Sequence, residues 1–459
     1  MNFWKDKVFL KKILLLSLPI ALQNLITSIL NIFDQLMVGS LPENADNCLS
    51  AVLLANQIVF IFQIVLFAAS NTANIFIAQE SEGGNTSRIP VRMGFLLIVS
   101  AVVTAAFTAV CSCFPAFVIG LFSPSESYAF LAEEFLSVVA FSFIPMCISV
   151  PINFTMRSIK RMKVGLTANV VGVLCNIALN YVFMFGFQPL GIPAYGLVGA
   201  AYGTIISRFV ELAVMMGGVI IFKYPLFASP KRMLTFEKGF IGQFFKMFFP
   251  ILCNEIFWVL SSTVYLYVYD KLPSSEIALA AMNIAQSVDK IVSVAMIGIG
   301  SAAGIIIGNT IGSGDIEKVH DYAKKSWWFS IFAGVAIGLL TLTLAFVAPS
   351  FFKEASAEAQ HTATILLLLF AVTAVLRNVC FMAVIGILRA GGDTTFCMIW
   401  ETLAIWLVSV PLVMLGGLVF HWNIFILYVL GNVSELIKVI LFGLRAKSNK
   451  WLRFVSTNA

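Results

Sequence analysis

The chain has 459 residues, 60% of them hydrophobic and only 11% charged, and carries a net charge of +6. A soluble protein has about a quarter charged residues, and no water-facing fold could hide this much apolar surface, so the bilayer is the solvent. Backbone groups in lipid must find partners internally, which leaves helices or closed barrels. Here the apolar runs are about 20 residues or longer, where barrel strands would be about 10 and alternating, so the fold class is an all-α integral membrane protein.

Twelve spans are predicted, at 13–39, 51–78, 93–118, 130–154, 165–187, 196–222, 243–270, 279–308, 328–350, 362–388, 396–418 and 424–445. Of the lysines and arginines, 23 fall in the N-terminal tail, the C-terminal tail and every second loop, against Lys271 and Lys353 in the alternate loops. The positive-inside rule then places both termini in the cytoplasm, and the expected localisation is multi-pass in the plasma (inner) membrane. The basic excess reflects topology, and no nucleic-acid partner is implied. The first apolar run is too long, and too polar at its end, for a cleaved signal peptide. Eight cysteines include no C-x-x-C pair and read as small buried residues, and His320, His361 and His421 all fall in loops. No cofactor site emerges.

The chain aligns with itself at offsets of 229 to 232. SLPIALQNL (17–25) lies over FFPILCNEI (248–256), setting Pro19 against Pro250. AVLLANQ (51–57) lies over AAMNIAQ (280–286), IAQESEGGN (77–85) over IGNTIGSGD (307–315), and TMRS (155–158) over ILRA (387–390). An even number of spans per half keeps both halves in one orientation, related by a pseudo-two-fold axis along the membrane normal. The expected organisation is an N-terminal six-helix bundle over 1–222, a cytoplasmic linker over 223–242 and a C-terminal six-helix bundle over 243–459. The two pseudo-symmetric bundles would surround a central cavity suited to alternating access.

Ionisable residues within spans point to function. Asp34 shares a helical face with Asn24 and Asn31, and Asn176 and Asn180 are four apart on one face of span five. If these faces meet, a carboxylate and two carboxamides converge where they could titrate a proton or coordinate Na⁺ as the bound metal; the bland alternative is an interhelical hydrogen bond. In span seven Glu255, Trp258, Ser262, Tyr265 and Tyr269 lie along one side, and span eleven sets Glu401 beside Trp400. A carboxylate among aromatic rings suits a lipophilic organic cation, unless the rings are packing and interface anchors. Arg208 with Glu211, and Glu435 with Lys438, are three apart and read as neutralising pairs. Asp289, Lys290 and Arg377 form a possible network towards Glu255. Pro19 interrupts the ladder of span one and permits a bend, the hinge of this reading.

These residues resemble the multidrug and toxic compound extrusion (MATE) family, of the bacterial type. The resemblance covers nearly the whole chain. It rests on SLPIALQNL and IFDQLMVG in span one, the turns EGGN and IGSGD, LGIPAYGLVGAAYGTIIS entering span six, PILCNEIFW opening span seven, and ILRAGGDTTF after span ten. It implies a monomeric twelve-helix antiporter that expels small organic cations in exchange for H⁺ or Na⁺, without a cofactor and with membrane lipid around it. It also implies that Asp34, Asn176, Asn180 and Thr204 bind the coupling ion, that Pro19 serves the bending first helix, and that Glu255 is the family's seventh-span glutamate. Two departures stand out. Some members have Asp where this chain has Asn180, which leaves the choice of coupling ion open. Others pair the seventh-span glutamate with an Asp in span ten, where this chain has Arg377 and Asn378; either Glu401 in span eleven supplies the acid or the second site is inactive.

Rival classes fit less well. A major facilitator transporter would show a G-x-x-x-D-R-x-G-R-type loop after span two, where QESEGGNTSR (79–88) stands. A flippase of lipid-linked oligosaccharide or peptidoglycan precursors, from the same wider superfamily, would line its cavity with basic residues, whereas the deep charges here are mainly acidic. A membrane-embedded enzyme would need a zinc motif, paired aspartates or a catalytic histidine, and the sequence offers none.

Overall fold

A computed structural model describes residues 6–42, 44–83, 86–122, 126–352 and 355–454. Lys5, Gly84, Asn85 and Lys353, which carry part of the charge and turn patterns, lie outside the described residues. Among the described residues twelve helices are long and apolar enough to cross a membrane: α1 (Lys7–Gly39), α2 (Ala45–Glu82), α3 (Thr86–Cys113), α4 (Ser127–Ser158), α5 (Met162–Phe185), α6 (Gly196–Ile221), α7 (Gly239–Asp270), α8 (Ser275–Gly312), α9 (Ile316–Phe351), α10 (Ala357–Leu388), α11 (Thr394–Val419) and α12 (Ile424–Lys447). They correspond one to one with the twelve predicted spans. Several run well past the apolar edges, α2 and α8 reaching 38 residues. An apolar run reports the thickness of the hydrocarbon, whereas a helix continues until a cap or breaker stops it.

Those stops are legible in the chemistry. The Asp315 side chain accepts from the backbone N–H of Lys318 at 3.0 Å to open α9, and Asn423 accepts from Ile426 at 3.0 Å to open α12. Pro19 and Pro250 sit inside α1 and α7, which continue as helix through them. Around Pro411 the ladder instead widens: α11 has π-helical turns at Ile405–Ser409 and Leu415–Val419, one on each side, and α10 ends in another at Met382–Leu388. These turns were not predicted, because nothing in local composition distinguishes them from α-helix.

The chain divides into two compact units. One comprises Leu22–Ile77 and Asn85–Glu237, the other Met1–Ala21, Ala78–Gly84 and Lys238–Ala459. The main cut falls within the expected linker, while the start of α1 and the end of α2 go with the second half. Near the end of α2, Asn309 donates to the Ala78 carbonyl at 2.7 Å and to Ser81 Oγ at 2.9 Å, tying that segment to α8. At the start of α1, Asp6 pairs with Lys325 at 2.6 Å, which holds its carboxyl below the ordinary range. The core of the first unit stacks Phe62 on Phe143 with ring centroids 4.1 Å apart, and that of the second stacks Phe370 on Tyr428 at 4.5 Å.

Past α12 the C-terminal segment folds back onto the loop that carries ILRAGGDTTF. Trp451 is fully buried, its indole Nε1 donating to the Ala446 carbonyl at 3.1 Å. Its ring lies so close to Gly391 that a Cβ there would collide with it. Asp393, also fully buried, accepts from Arg445 Nε and Arg453 Nη2, each at 2.7 Å. Arg445 and Arg453 had counted only as topological charges in the sequence.

Candidate functional site

The first unit brings the coupling candidates together. Asn180 Nδ2 on α5 donates to Asp34 Oδ1 on α1 at 2.8 Å and to Asn176 Oδ1, one turn away, at 3.1 Å. Asn176 Nδ2 in turn donates to Thr204 Oγ1 at 3.3 Å and to Ser207 Oγ at 3.2 Å, both on α6. The predicted faces of α1 and α5 therefore meet, and Thr204 joins them. Ser207 was missed, although its place three residues beyond Thr204 would have flagged it.

Close packing of α5 on α6 sets this geometry. Glycines at 199 and 203 leave the α6 surface bare, and a Cβ on either would strike α5, at the Phe183 carbonyl or at Asn180 Oδ1. Asn180 and Asn176 are both buried, while Asp34 is only half-buried. Asn180 Oδ1 is a buried acceptor with no hydrogen-bond partner among the described residues, and such an atom in a low-dielectric site gains from a cation. Carboxylate, carboxamide and hydroxyl oxygens suit a hard monovalent cation or a proton equally. Arg208 pairs with Glu211 at 2.8 Å, as the spacing suggested.

The second unit arranges its acids differently. Glu255 Oε1 receives Arg389 Nη1 at 3.0 Å. Glu401 Oε2 accepts from Asn254 Nδ2 at 2.9 Å, and its Oε1 lies 3.7 Å from Lys438 Nζ, which also pairs with Glu435 at 2.5 Å. Arg377 grips Asp289 with both terminal nitrogens, at 2.6 and 2.8 Å, joining α10 to α8. The partner of Glu255 is thus Arg389. The aromatic stripe on α7 divides: Tyr269 is buried in the core, Tyr265 packs against that core, and Trp258 is half exposed. Sequence reasoning missed Arg389, because the pair joins residues 134 apart. Among the described residues no group of three His, Cys, Asp or Glu side chains could hold a resident metal.

The geometry can be set beside known proteins. The MatE family model matches residues 19–182 and again 250–415. The two matches begin at Pro19 and Pro250, which the internal duplication also superposes. The Thermotoga maritima protein described as a probable multidrug resistance protein NorM is 25% identical over 333 residues, covering 72% of this chain and 69% of that one. The uncharacterized transporter YisQ of Bacillus subtilis is 24% identical over 456 residues, 98% of this chain and 96% of its own. Among solved structures, an outward-facing multidrug resistance MATE family transporter of the MOP superfamily superposes with a TM-score of 0.85 at 16% identity, covering 98% and 96% of the two chains. A mutant of the Vibrio cholerae MATE transporter VcmN gives 0.85 at 16% identity over 98% and 99%. At such identities the likeness to solved structures concerns the fold.

Proposed function

The chain belongs to the MatE family, whose members are transporters and not enzymes, and on that premise we propose that it is a secondary antiporter expelling organic cations in exchange for H⁺ or Na⁺ by alternating access. The observation that carries this reading is the polar row Asp34–Asn180–Asn176–Thr204, closed by Ser207, which joins α1, α5 and α6 within the first unit. A carboxylate whose hydrogen-bond partner is the neutral amide of Asn180 responds to a proton or Na⁺, which brings positive charge to the carboxylate itself. Pro19 is assigned as the hinge of α1. The repeats 1–222 and 243–459 are assigned as the two moving bodies, with 223–242 between them. The protein works as a monomer in the plasma membrane with no prosthetic group. Proteoliposomes given an imposed H⁺ or Na⁺ gradient, each tested alone, decide the matter: efflux of a cationic dye driven by neither gradient would sink the proposal.

Substrate contact is assigned to Glu255, Trp258, Tyr265 and Glu401, where an organic cation would compete with Arg389 for the glutamate. Glu255→Gln is expected to slow efflux of cationic dyes several-fold while neutral dyes are affected less. Equal loss for both classes would instead assign Glu255 to folding or ion coupling.

Cytoplasmic termini follow from the loop charges, and in a cysteine-free background a cysteine at Ser356 should label from outside intact cells while one at Ser448 should not. Labelling at Ser448 from outside would invert the topology.

A further inference from the structure

The two halves carry different charges at equivalent places. The duplication sets Gln23 and Asn24 against Asn254 and Glu255, and Arg157 against Arg389. Carried on at the same spacing it sets Asn169 against Glu401, each being 12 residues past its arginine and the eighth residue of its helix. In the second half Arg389 is neutralised by Glu255 at 3.0 Å, and Asn254 donates to Glu401 at 2.9 Å. In the first half the arginine is kept and both acids are amides.

Arg157 is accordingly short of a counter-ion. Its Nη2 and Nε donate at 2.6 and 3.1 Å to one neutral oxygen, Oε1 of Gln23, and its guanidinium lies over the Phe154 ring at 5.1 Å. No carboxylate among the described residues pairs with it. The surrounding amides are also incompletely satisfied: Gln23 Nε2, Asn153 Oδ1 and Asn169 Oδ1 are buried without hydrogen-bond partners. Gln23 is 2% exposed, and Gly165 packs against both its amide and that of Asn153, so closely that a Cβ there would press on both. Asn169 continues the cluster by donating to Thr27 at 3.3 Å. A half-buried guanidinium whose only acceptor among the described residues is an amide is poorly compensated, and the natural complement is a planar carboxylate taken by two parallel N–H bonds.

We infer that Arg157, with Gln23 and Asn153, forms a carboxylate subsite, so that this chain favours zwitterionic substrates, organic cations that also bear a carboxylate. The ligand's carboxylate takes the role that Glu255 plays in the other half, and the side-chain amides turn their N–H groups towards it. This rests on the efflux reading above.

The test uses the purified full-length protein and two probes, tetramethylrhodamine as the free acid and as its methyl ester, which share the cation and differ in the carboxylate. Fluorescence polarisation is expected to give a dissociation constant at least about tenfold lower for the acid, the order expected of one charge-assisted pair. Arg157→Gln should bring the ratio close to one. Asn24→Glu should do the same with the arginine intact, by installing the carboxylate that the second half carries, and it decides the matter if Arg157→Gln does not fold. Unchanged ester affinity shows that fold and cation binding persist in either variant. A wild-type ratio near one, or a ratio that survives both substitutions, would overturn the subsite. If wild type binds neither probe, the efflux reading falls and the subsite with it.

Discussion

Asp34→Asn is expected to reach the membrane, bind drug and pump nothing. The substitution keeps the side-chain volume and fixes the neutral form, so the bond from Asn180 at 2.8 Å can be replaced by an amide–amide contact and the fold survives. Lost is the difference between two charge states. Coupling requires ion and drug to favour different states of the protein, and a ligand shifts an equilibrium only through differential affinity. In a coupled system that difference is on the order of 5–150-fold. Drug affinity measured against pH and against Na⁺ should therefore flatten in the variant, while efflux driven by either gradient drops to the level of empty vesicles. Normal pumping by Asp34→Asn would reduce Asp34 to a structural hydrogen-bonding group.

Asp393→Asn is the second large effect. The carboxylate is fully buried and holds two guanidinium groups, Arg445 and Arg453. Breaking a buried ion pair from one side costs about 3–5 kcal/mol. That figure is an upper value here, because Arg453 is half exposed and water screens its share. Losing this hold should also loosen Trp451 from Gly391, so two readouts should move together. The purified variant should melt several degrees lower, and trypsin should cut at Lys450 and Arg453 faster than in wild type. Unchanged melting with unchanged cleavage would mean that the tail adds nothing to stability.

What the sequence revealed and what it concealed divide along physical lines. The spans were legible because lipid imposes a length and a composition on every crossing. Local pairs were legible because helical spacing alone brings Arg208 to Glu211 and Lys438 to Glu435. The row from Asp34 through Asn180 was legible in part, since α1 and α5 each show one polar face and only their meeting had to be assumed. Glu255 with Arg389, Asp393 with its two arginines and the burial of Trp451 were not, because each joins distant segments and no local pattern records the partner. Arg157 is the instructive case. It stood in the aligned pair TMRS and ILRA, yet it was counted only as a loop charge; asking which acids its twin faced would have exposed the missing counter-ion.

The bare glycine surface of α6 has a mechanical consequence. With backbones in such close approach at Gly199 and Gly203, α5 and α6 have little room to shift against each other, and the pair is expected to move as a single stiff lever. Asn176, Asn180, Thr204 and Ser207 are mounted on that lever and are expected to keep their mutual spacing when the charge on Asp34 changes. A change of charge on Asp34 then has few degrees of freedom through which to act: α1 shifts against the lever, or the lever tilts whole.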